Sequence, residues 1–412
     1  MWHSKLPSWS RRIRGIPTTI LVILPIITIC LIPWVSPDTR TIWLMWGYGF
    51  HTGLCITAGY HRLWSHRAYR ATVFLRLYLA IFGAGALQGP ILWWAREHRA
   101  HHRYTDTVLD PYSIREGLFH SHMGWMLLRP PPTPPAAARA RRKHIDLSDL
   151  TADPIVRWQA RHFRWLAPLM GWILPAVVAG ICFDDWKGGC VYAALGKMVL
   201  VHQSTFCINS LAHWLGDQPY DDRASPRDSL LAAVLTLGEG YHNFHHTFPR
   251  DYRNGVRWYH WDCTKWVIAG WEWMGWADEL RRVADVDVER ARVQELQKGL
   301  ARRLAVLPRV VDVEDLWVID WEDYQRMVRP DEAGNRRALL AVDGVVHDLT
   351  HFVPQHPGGS RLLCSFVGKD ASVVFHGESI YRHSKIARNI LASSRVAVLA
   401  PGWEVAPQGG VQ

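Results

Sequence analysis

The sequence predicts a multi-domain protein: an all-α integral membrane unit with four transmembrane helices and a cytosolic helical cap, then a small α+β domain. Three observations predict it. Long apolar runs are confined to the first two-thirds of the chain, histidines fall in spaced clusters there, and after Trp276 the composition turns charged and then mixed. The boundaries read as 1–280 for the membrane unit, 281–310 for a charged helical linker, 311–402 for the small domain and 403–412 for a tail.

The apolar runs cover about Ile16 to Val35, Thr41 to Tyr60, Trp165 to Phe183 and Val191 to His213. Each is close to the ~20 residues needed to cross a bilayer core. The chain is 49% hydrophobic and 20% charged, values that hide this segregation. Many of its 23 Trp sit at run ends, as in interfacial aromatic belts. The breaks Ser36–Arg40 and Asp184–Gly189 then share one side, and the basic segments and both termini share the other, which the positive-inside rule makes cytosolic. Tyr69 to Trp94, apolar but carrying Arg70 and Arg76, reads as an amphipathic helix in the interface. The proline run Arg129 to Pro135 reads as an extended strap. The basic N-terminus and the run after it read as an anchor and not a cleaved signal.

The net charge of +10 suits an anionic membrane surface or substrate, and no nucleic-acid motif accompanies it. Seven scattered cysteines without a Cys-x-x-Cys pair argue against a disulfide framework or zinc finger, and for a reducing compartment.

His98, His101 and His102 stand at i, i+3 and i+4, and so do His242, His245 and His246. On a helix each triplet aims three imidazoles from one face. His61 and His66 close a further cluster, and Asn209 and His213 share a face at the end of the last apolar run. Nine histidines and one asparagine are too many for one metal and suit two of five or six coordination. Neutral imidazole binds Zn, Cu, Fe and Ni. Zinc fits poorly, because its sites use three or four ligands and no His-Glu-x-x-His is present. Glu97, Glu239, Asp106 and Asp110 lie close enough to fix imidazole tautomers, although Asp106 and Asp110 read equally well as surface acids. His3, His51, His120, His122, His144, His162, His202 and His260 read as ordinary core or interface residues.

At these residues the chain resembles the membrane acyl-CoA Δ9 desaturases (the stearoyl-CoA desaturase family), in the fungal form with a fused cytochrome b5. The resemblance rests on Thr-Ala-Gly-Tyr-His-Arg-Leu-Trp-Ser-His, Glu-His-Arg-Ala-His-His-Arg-Tyr, Phe-Cys-Ile-Asn-Ser-Leu-Ala-His-Trp and Gly-Glu-Gly-Tyr-His-Asn-Phe-His-His-Thr-Phe-Pro. It covers most of residues 41 to 402. It implies a di-iron centre held by His61, His66, His98, His101, His102, His213, His242, His245 and His246, with Asn209 assisting through water. It implies O2 as co-substrate, long-chain acyl-CoA (stearoyl- or palmitoyl-CoA) as substrate, a double bond between carbons 9 and 10, and an endoplasmic reticulum membrane location. An unactivated methylene has no acidic proton, so acid–base chemistry alone cannot do this.

Near the C-terminus, Gln355-His356-Pro-Gly-Gly359 and Tyr381-Arg-His383-Ser384 resemble cytochrome b5. The resemblance implies haem b with His356 and His383 as axial ligands. His376 is a nearer alternative to His383 that lacks the Tyr-x-His-Ser context. Two axial imidazoles saturate the iron and make an electron carrier. No Gly-x-Gly-x-x-Gly is present, so the resemblance implies a separate NADH-cytochrome b5 reductase. Ala338–Val342 and Val345–Leu349 around Asp343-Gly344 predict a hairpin, with His347 and His351 as surface residues of the hairpin and the loop after it.

Arg96, Arg161 and Arg164 are candidates for CoA phosphates. Residues near Phe50 to Ala58 are expected to line an acyl tunnel. The N-terminus is short for the family, and Gln88–Trp94 departs from its usual polar version. Two rivals remain: a hydroxylase or desaturase of different regiochemistry, and a membrane-anchored haem carrier.

Overall fold

The computed structural model describes residues 13–129, 145–307, 310–377 and 383–403. The strap residues after Arg129, and Tyr381 and Arg382, lie outside them. The chain divides into two compact units, Met1–Gly299 and Leu300–Gln412.

The first unit is helical. Among the described residues, three helices are long and apolar enough to cross a membrane: α1 (Gly15–Trp34), α5 (Pro154–Phe183) and α6 (Trp186–His213). The Thr41–Tyr60 run forms α2 (Thr39–Leu54) and continues in widened turns through Cys55–Ser65, but it is not among those three. Arg40, His51 and Thr52 dilute its apolar residues. The two predicted breaks meet. The Asp185 carboxylate accepts from the Asp38 amide at 2.9 Å and the Thr41 hydroxyl at 2.8 Å, which puts both turns at one end of the helices. Asp38 and Asp153 cap the starts of α2 and α5, satisfying amides that the first helical turn leaves without partners.

Tyr69 to Trp94 is not one helix. It contains β1 (Arg70–Ala71), α3 (Val73–Ala84) and the start of α4 (Ile91–Tyr104), separated by the loop 85–90. The pair Gly89-Pro90 explains the break. Proline disfavours helical conformation in the residue before it, and Gly89 sits at φ +89°. The Cys55–Ser65 segment is buried throughout and packs with Leu75, Leu79 and Ile91 of α3 and α4 in the main core.

After α6 come α7 (Leu230–Leu235), α8 (His242–Thr247), α9 (Cys263–Trp273), β2 (Ala277–Asp278) and α10 (Asp285–Ala305). β2 pairs antiparallel with β1.

The second unit is α+β. Four strands, β3 (Val318–Ile319), β4 (Leu339–Val342), β5 (Val345–Asp348) and β6 (Arg395–Leu399), form one sheet in the order β3-β6-β5-β4. The helices are α11 (Trp321–Val328), α12 (Ser360–Cys364), α13 (Ser372–His376) and α14 (Lys385–Ser393). β4 and β5 form the predicted hairpin, with Val342 opposite Val345 and both turn residues, Asp343 (φ +51°) and Gly344 (φ +74°), left-handed. Alternation along β4 sends Leu339 and Ala341 into one apolar cluster and Leu340 and Val342 into another, so the sheet is covered on both faces. His351 is exposed, as expected. His347 is not a surface residue. It is 3% exposed and donates from Nδ1 to the Leu391 carbonyl at 2.7 Å, because α14 covers that part of β5.

Candidate metal and haem sites

All nine cluster histidines converge in two adjoining groups. Ring nitrogens of His61, His66, His98, His102 and His245 lie within 4.8 Å of one another, and so do those of His101, His213, His242 and His246. The widened end of α2 supplies His61 and His66, α4 supplies three rings, the end of α6 one, and α8 three. Helical spacing alone does not divide the rings this way: α4 gives His98 and His102 to the first group and His101 to the second.

Within the groups the rings face each other through Nε2. The distances are 3.0 Å for His61–His245, 2.8 Å for His66–His98 and 3.0 Å for His102–His245. They are 3.1 Å for both His213–His242 and His242–His246. Burial first, then neighbouring imidazoles, pushes the pKa values of His66, His98, His102, His245 and His246 well below the ordinary range, and that of His242 to about 3. These six rings are therefore neutral, which is the ligand form.

Carboxylates and hydroxyls hold the opposite nitrogens of four rings, His61, His98, His101 and His213. Glu239 Oε2 lies 2.8 Å from His61 Nδ1, and Asp110 Oδ1 lies 2.9 Å from His101 Nδ1. Ser225 Oγ is 2.7 Å from His213 Nδ1 and donates in turn to Asp106 Oδ1 at 2.7 Å. Tyr112 OH is 3.3 Å from His98 Nδ1. Proton donation from Nδ1 fixes the tautomer and leaves an Nε2 lone pair aimed inward. His101 shows this most plainly: its Nε2 is buried without a hydrogen-bond partner among the described residues, while Asp110 occupies Nδ1. Such a donor set fits two metal ions.

Behind His61 lies a charged cluster that the sequence reading missed. Arg62, 1% exposed, binds Glu239 Oε1 and Asp262 Oδ1, both at 2.8 Å. Asn254 donates to Glu239 Oε2 at 2.6 Å. Burial alone would raise the Glu239 carboxyl, but Arg62 and His61 outweigh it and hold it at about 2. A full charge inside the buried Tyr-His-Arg-Leu stretch was the available signal for Arg62. Nothing in the local sequence marked Asp262, Ser225 or Tyr112.

A cavity of about 340 Å³ reaches His61, His98, Asn209 and Glu239, and runs past Trp93, Trp94 and Ile56 to Ile16, Pro17, Ile20 and Leu21 of α1. Its size falls within the ~300–1,000 Å³ of small-ligand sites. Of the expected tunnel residues, Ile56 and Thr57 line it, while Phe50 is 44% exposed. Gln88 in its wall donates to Thr205 Oγ1 at 2.7 Å and accepts from Trp94 Nε1 at 3.3 Å. Arg96, Arg161 and Arg164 are exposed and do not line it. Arg96 pairs with Glu97 at 2.9 Å, and Arg164 lies 5.4 Å from the Trp165 ring centroid. Arg14, unremarked in the sequence, does line the cavity.

Several histidines outside the groups have ordinary partners. His51 meets Tyr78 OH at 3.2 Å, His122 meets Ser210 Oγ at 2.8 Å, and His162 meets the Trp158 carbonyl at 2.8 Å.

In the second unit, His356 Nδ1 lies 3.3 Å from the Gly359 carbonyl and His383 Nδ1 lies 2.9 Å from the Phe375 carbonyl. Each ring thus keeps Nε2 for a ligand bond. His383 also stacks on Phe375 with centroids 4.4 Å apart. His376 is engaged elsewhere: its Nε2 pairs with Asp343 Oδ2 at 2.7 Å on the hairpin turn. Phe352, Phe366, Phe375 and Leu363 gather in the apolar cluster on this side of the sheet, an environment that fits a haem.

A helical unit with membrane-length helices and two imidazole clusters compatible with metal, followed by an α+β unit with two prepared histidines, defines the class to which the chain is compared. Comparison with known proteins gives the family. The profile described as Fatty acid desaturase matches residues 41–270, and that described as Cytochrome b5-like Heme/Steroid binding domain matches residues 321–400. The chain is 43% identical over 400 residues to a probable acyl-CoA desaturase of Schizosaccharomyces pombe, covering 97% of this chain and 80% of the relative. It is 44% identical over 347 residues to acyl-CoA desaturase 1 of Saccharomyces cerevisiae, covering 84% of this chain and 66% of the relative. It is 38% identical over 266 residues to a human stearoyl-CoA desaturase, covering 64% and 73%. The chain belongs to the fatty acid desaturase family and carries a C-terminal cytochrome b5 domain.

Proposed function

We propose that this desaturase introduces a double bond between carbons 9 and 10 of long-chain saturated acyl-CoA, with stearoyl- and palmitoyl-CoA as substrates. The observation that carries the reading is the convergence of nine imidazoles in two adjoining groups beside an apolar cavity. Two iron ions would be held by His61, His66, His98, His102 and His245, and by His101, His213, His242 and His246, with Asn209 assisting. When bound, they supply the O2-dependent oxidation that removes hydrogen from an unactivated methylene. Four electrons reduce O2 to two waters: two leave with the substrate C–H bonds, and two arrive through haem b on His356 and His383. The haem would be reduced by an NADH-cytochrome b5 reductase.

The chain's own groups then have simple tasks. Glu239 and Asp110 orient His61 and His101, and Arg62 keeps Glu239 ionised. The apolar cavity wall holds an acyl tail and keeps water from the reacting carbons. Arg96, Arg161 and Arg164 offer cations to the CoA phosphates. We assign 1–280 to the desaturase domain, 281–310 to the linker, 311–402 to the haem domain and 403–412 to a tail. α2 with its extension is the fourth span, and the protein sits in the endoplasmic reticulum membrane with termini and active site cytosolic.

Expression in desaturase-deficient yeast tests the reading. Growth without added unsaturated fatty acids, with Δ9 products by gas chromatography, is the expected result. Hydroxylated products, or a double bond elsewhere, would overturn it. The purified protein should hold about three iron atoms per chain, one of them in haem.

A further inference from the structure

Two titratable side chains of the membrane helix α6 stand outside the metal site and are nearly or fully buried: Lys197 (0% exposed) and His202 (2%). Burying an ammonium within a membrane span is costly, and such residues usually serve function. Lys197 Nζ donates to the Gly85 carbonyl at 2.7 Å and lies 5.3 Å from the Tyr48 ring centroid. His202 Nε2 donates to the next carbonyl, Ala86, at 3.0 Å.

Both bonds end on the loop 85–90. That loop is held in an unfavourable backbone conformation, with Leu87 left-handed at φ +59°. Such a conformation persists only when its surroundings enforce it. A side chain at Gly89 would meet Trp93 at 2.7 Å, so the loop also presses against α4. Leu87, Gln88 and Gly89 all line the cavity. α6 therefore grips this wall at three places: the Gly85 and Ala86 carbonyls and, through Thr205, the Gln88 side chain.

We infer that Lys197, from outside the cavity, and His202, which also lines it, are positioning residues that fix the 85–90 wall and thereby set which acyl chain lengths the cavity accepts. The chain-length part rests on the acyl-CoA reading above; the grip on the loop does not. With one carbonyl released, Leu87 can relax toward ordinary backbone angles and the wall moves.

Two measurements on the full-length protein in detergent test this. Amide hydrogen exchange should be about tenfold faster in residues 85–90 of Lys197→Met, with the histidine-bearing helices unchanged, and should return to the wild-type rate in Lys197→Arg. His202→Leu should act in the same direction and decides the case if Lys197→Met does not fold. In turnover, the preference between acyl-CoA substrates two carbons apart should shift about tenfold in Lys197→Met and recover in Lys197→Arg. Unchanged exchange at 85–90 in the folded variants overturns the inference whatever the activity. Faster exchange with unchanged chain preference overturns the specificity role. A wild-type protein that desaturates no acyl-CoA would instead overturn the function proposed above, and exchange would still judge the grip.

Discussion

The Nδ1 of His61 and the Oε2 of Glu239 lie 2.8 Å apart, and both side chains are almost fully withdrawn from solvent. The contact links two motifs nearly two hundred residues apart in the chain. It also links the metal site to the Arg62–Asp262 ion pairs behind it. The imidazole is thus held by a carboxylate that is itself held by a buried guanidinium. Rotation of the ring would break a charged network and not merely one hydrogen bond.

Glu239→Gln should therefore lower desaturase activity by about 10–100-fold while the haem spectrum stays intact. Asp110→Asn should do the same through His101. Non-haem iron content, measured beside turnover, separates lost metal from a misoriented one. Full activity in both variants would mean that these carboxylates do not tune the rings.

The two C-terminal histidine candidates give opposite expectations. His376 spends Nε2 on Asp343, whereas His383 turns Nδ1 to a carbonyl and leaves Nε2 available. His383→Ala should lose the low-spin haem spectrum, and His376→Ala should keep it. Absorbance in the Soret and α bands reads the result directly.

How much of this was legible beforehand depended on the range of the interaction. The i, i+3, i+4 spacing showed that each triplet shares a helix face, and the Asp-Gly pair showed a two-residue hairpin turn, because both are local. The split of α4 between two nitrogen clusters was not legible, since it depends on how α4, α6 and α8 meet. Asp106 and Asp110 looked alike in sequence. In the fold Asp110 reaches a ring directly, and Asp106 reaches His213 through Ser225. The break at Gly89-Pro90 was available from the dipeptide but was outweighed by the apolar run around it.

Arg62 should be the least replaceable charge outside the rings. Arg62→Leu leaves Glu239 and Asp262 buried without their cation, a loss of about 3–5 kcal/mol. The midpoint for loss of the monodisperse peak on heating should fall sharply. Adding Glu239→Gln and Asp262→Asn to Arg62→Leu should recover part of that loss, because neither carboxylate is then left buried without its cation. Equal midpoints for wild type and Arg62→Leu would show that the cluster contributes little to stability.

His347 gives the second unit an acid sensitivity of its own. Burial is the largest influence and brings its pKa down to about 4, although the bond to the Leu391 carbonyl works the other way. In the unfolded chain the same ring titrates near ~6.5. As pH falls below that value the unfolded state takes up the proton first, so stability is complete above ~6.5 and drains away toward pH 4. The full difference is of the order of 3 kcal/mol. His347→Gln removes the titration and should flatten this part of the profile. Urea unfolding of the full chain, followed at the Soret band at several pH values between ~4 and ~7, checks it against wild type. Only the difference between the two profiles belongs to His347. Parallel profiles would mean that the ring gains its proton without opening the contact between β5 and α14.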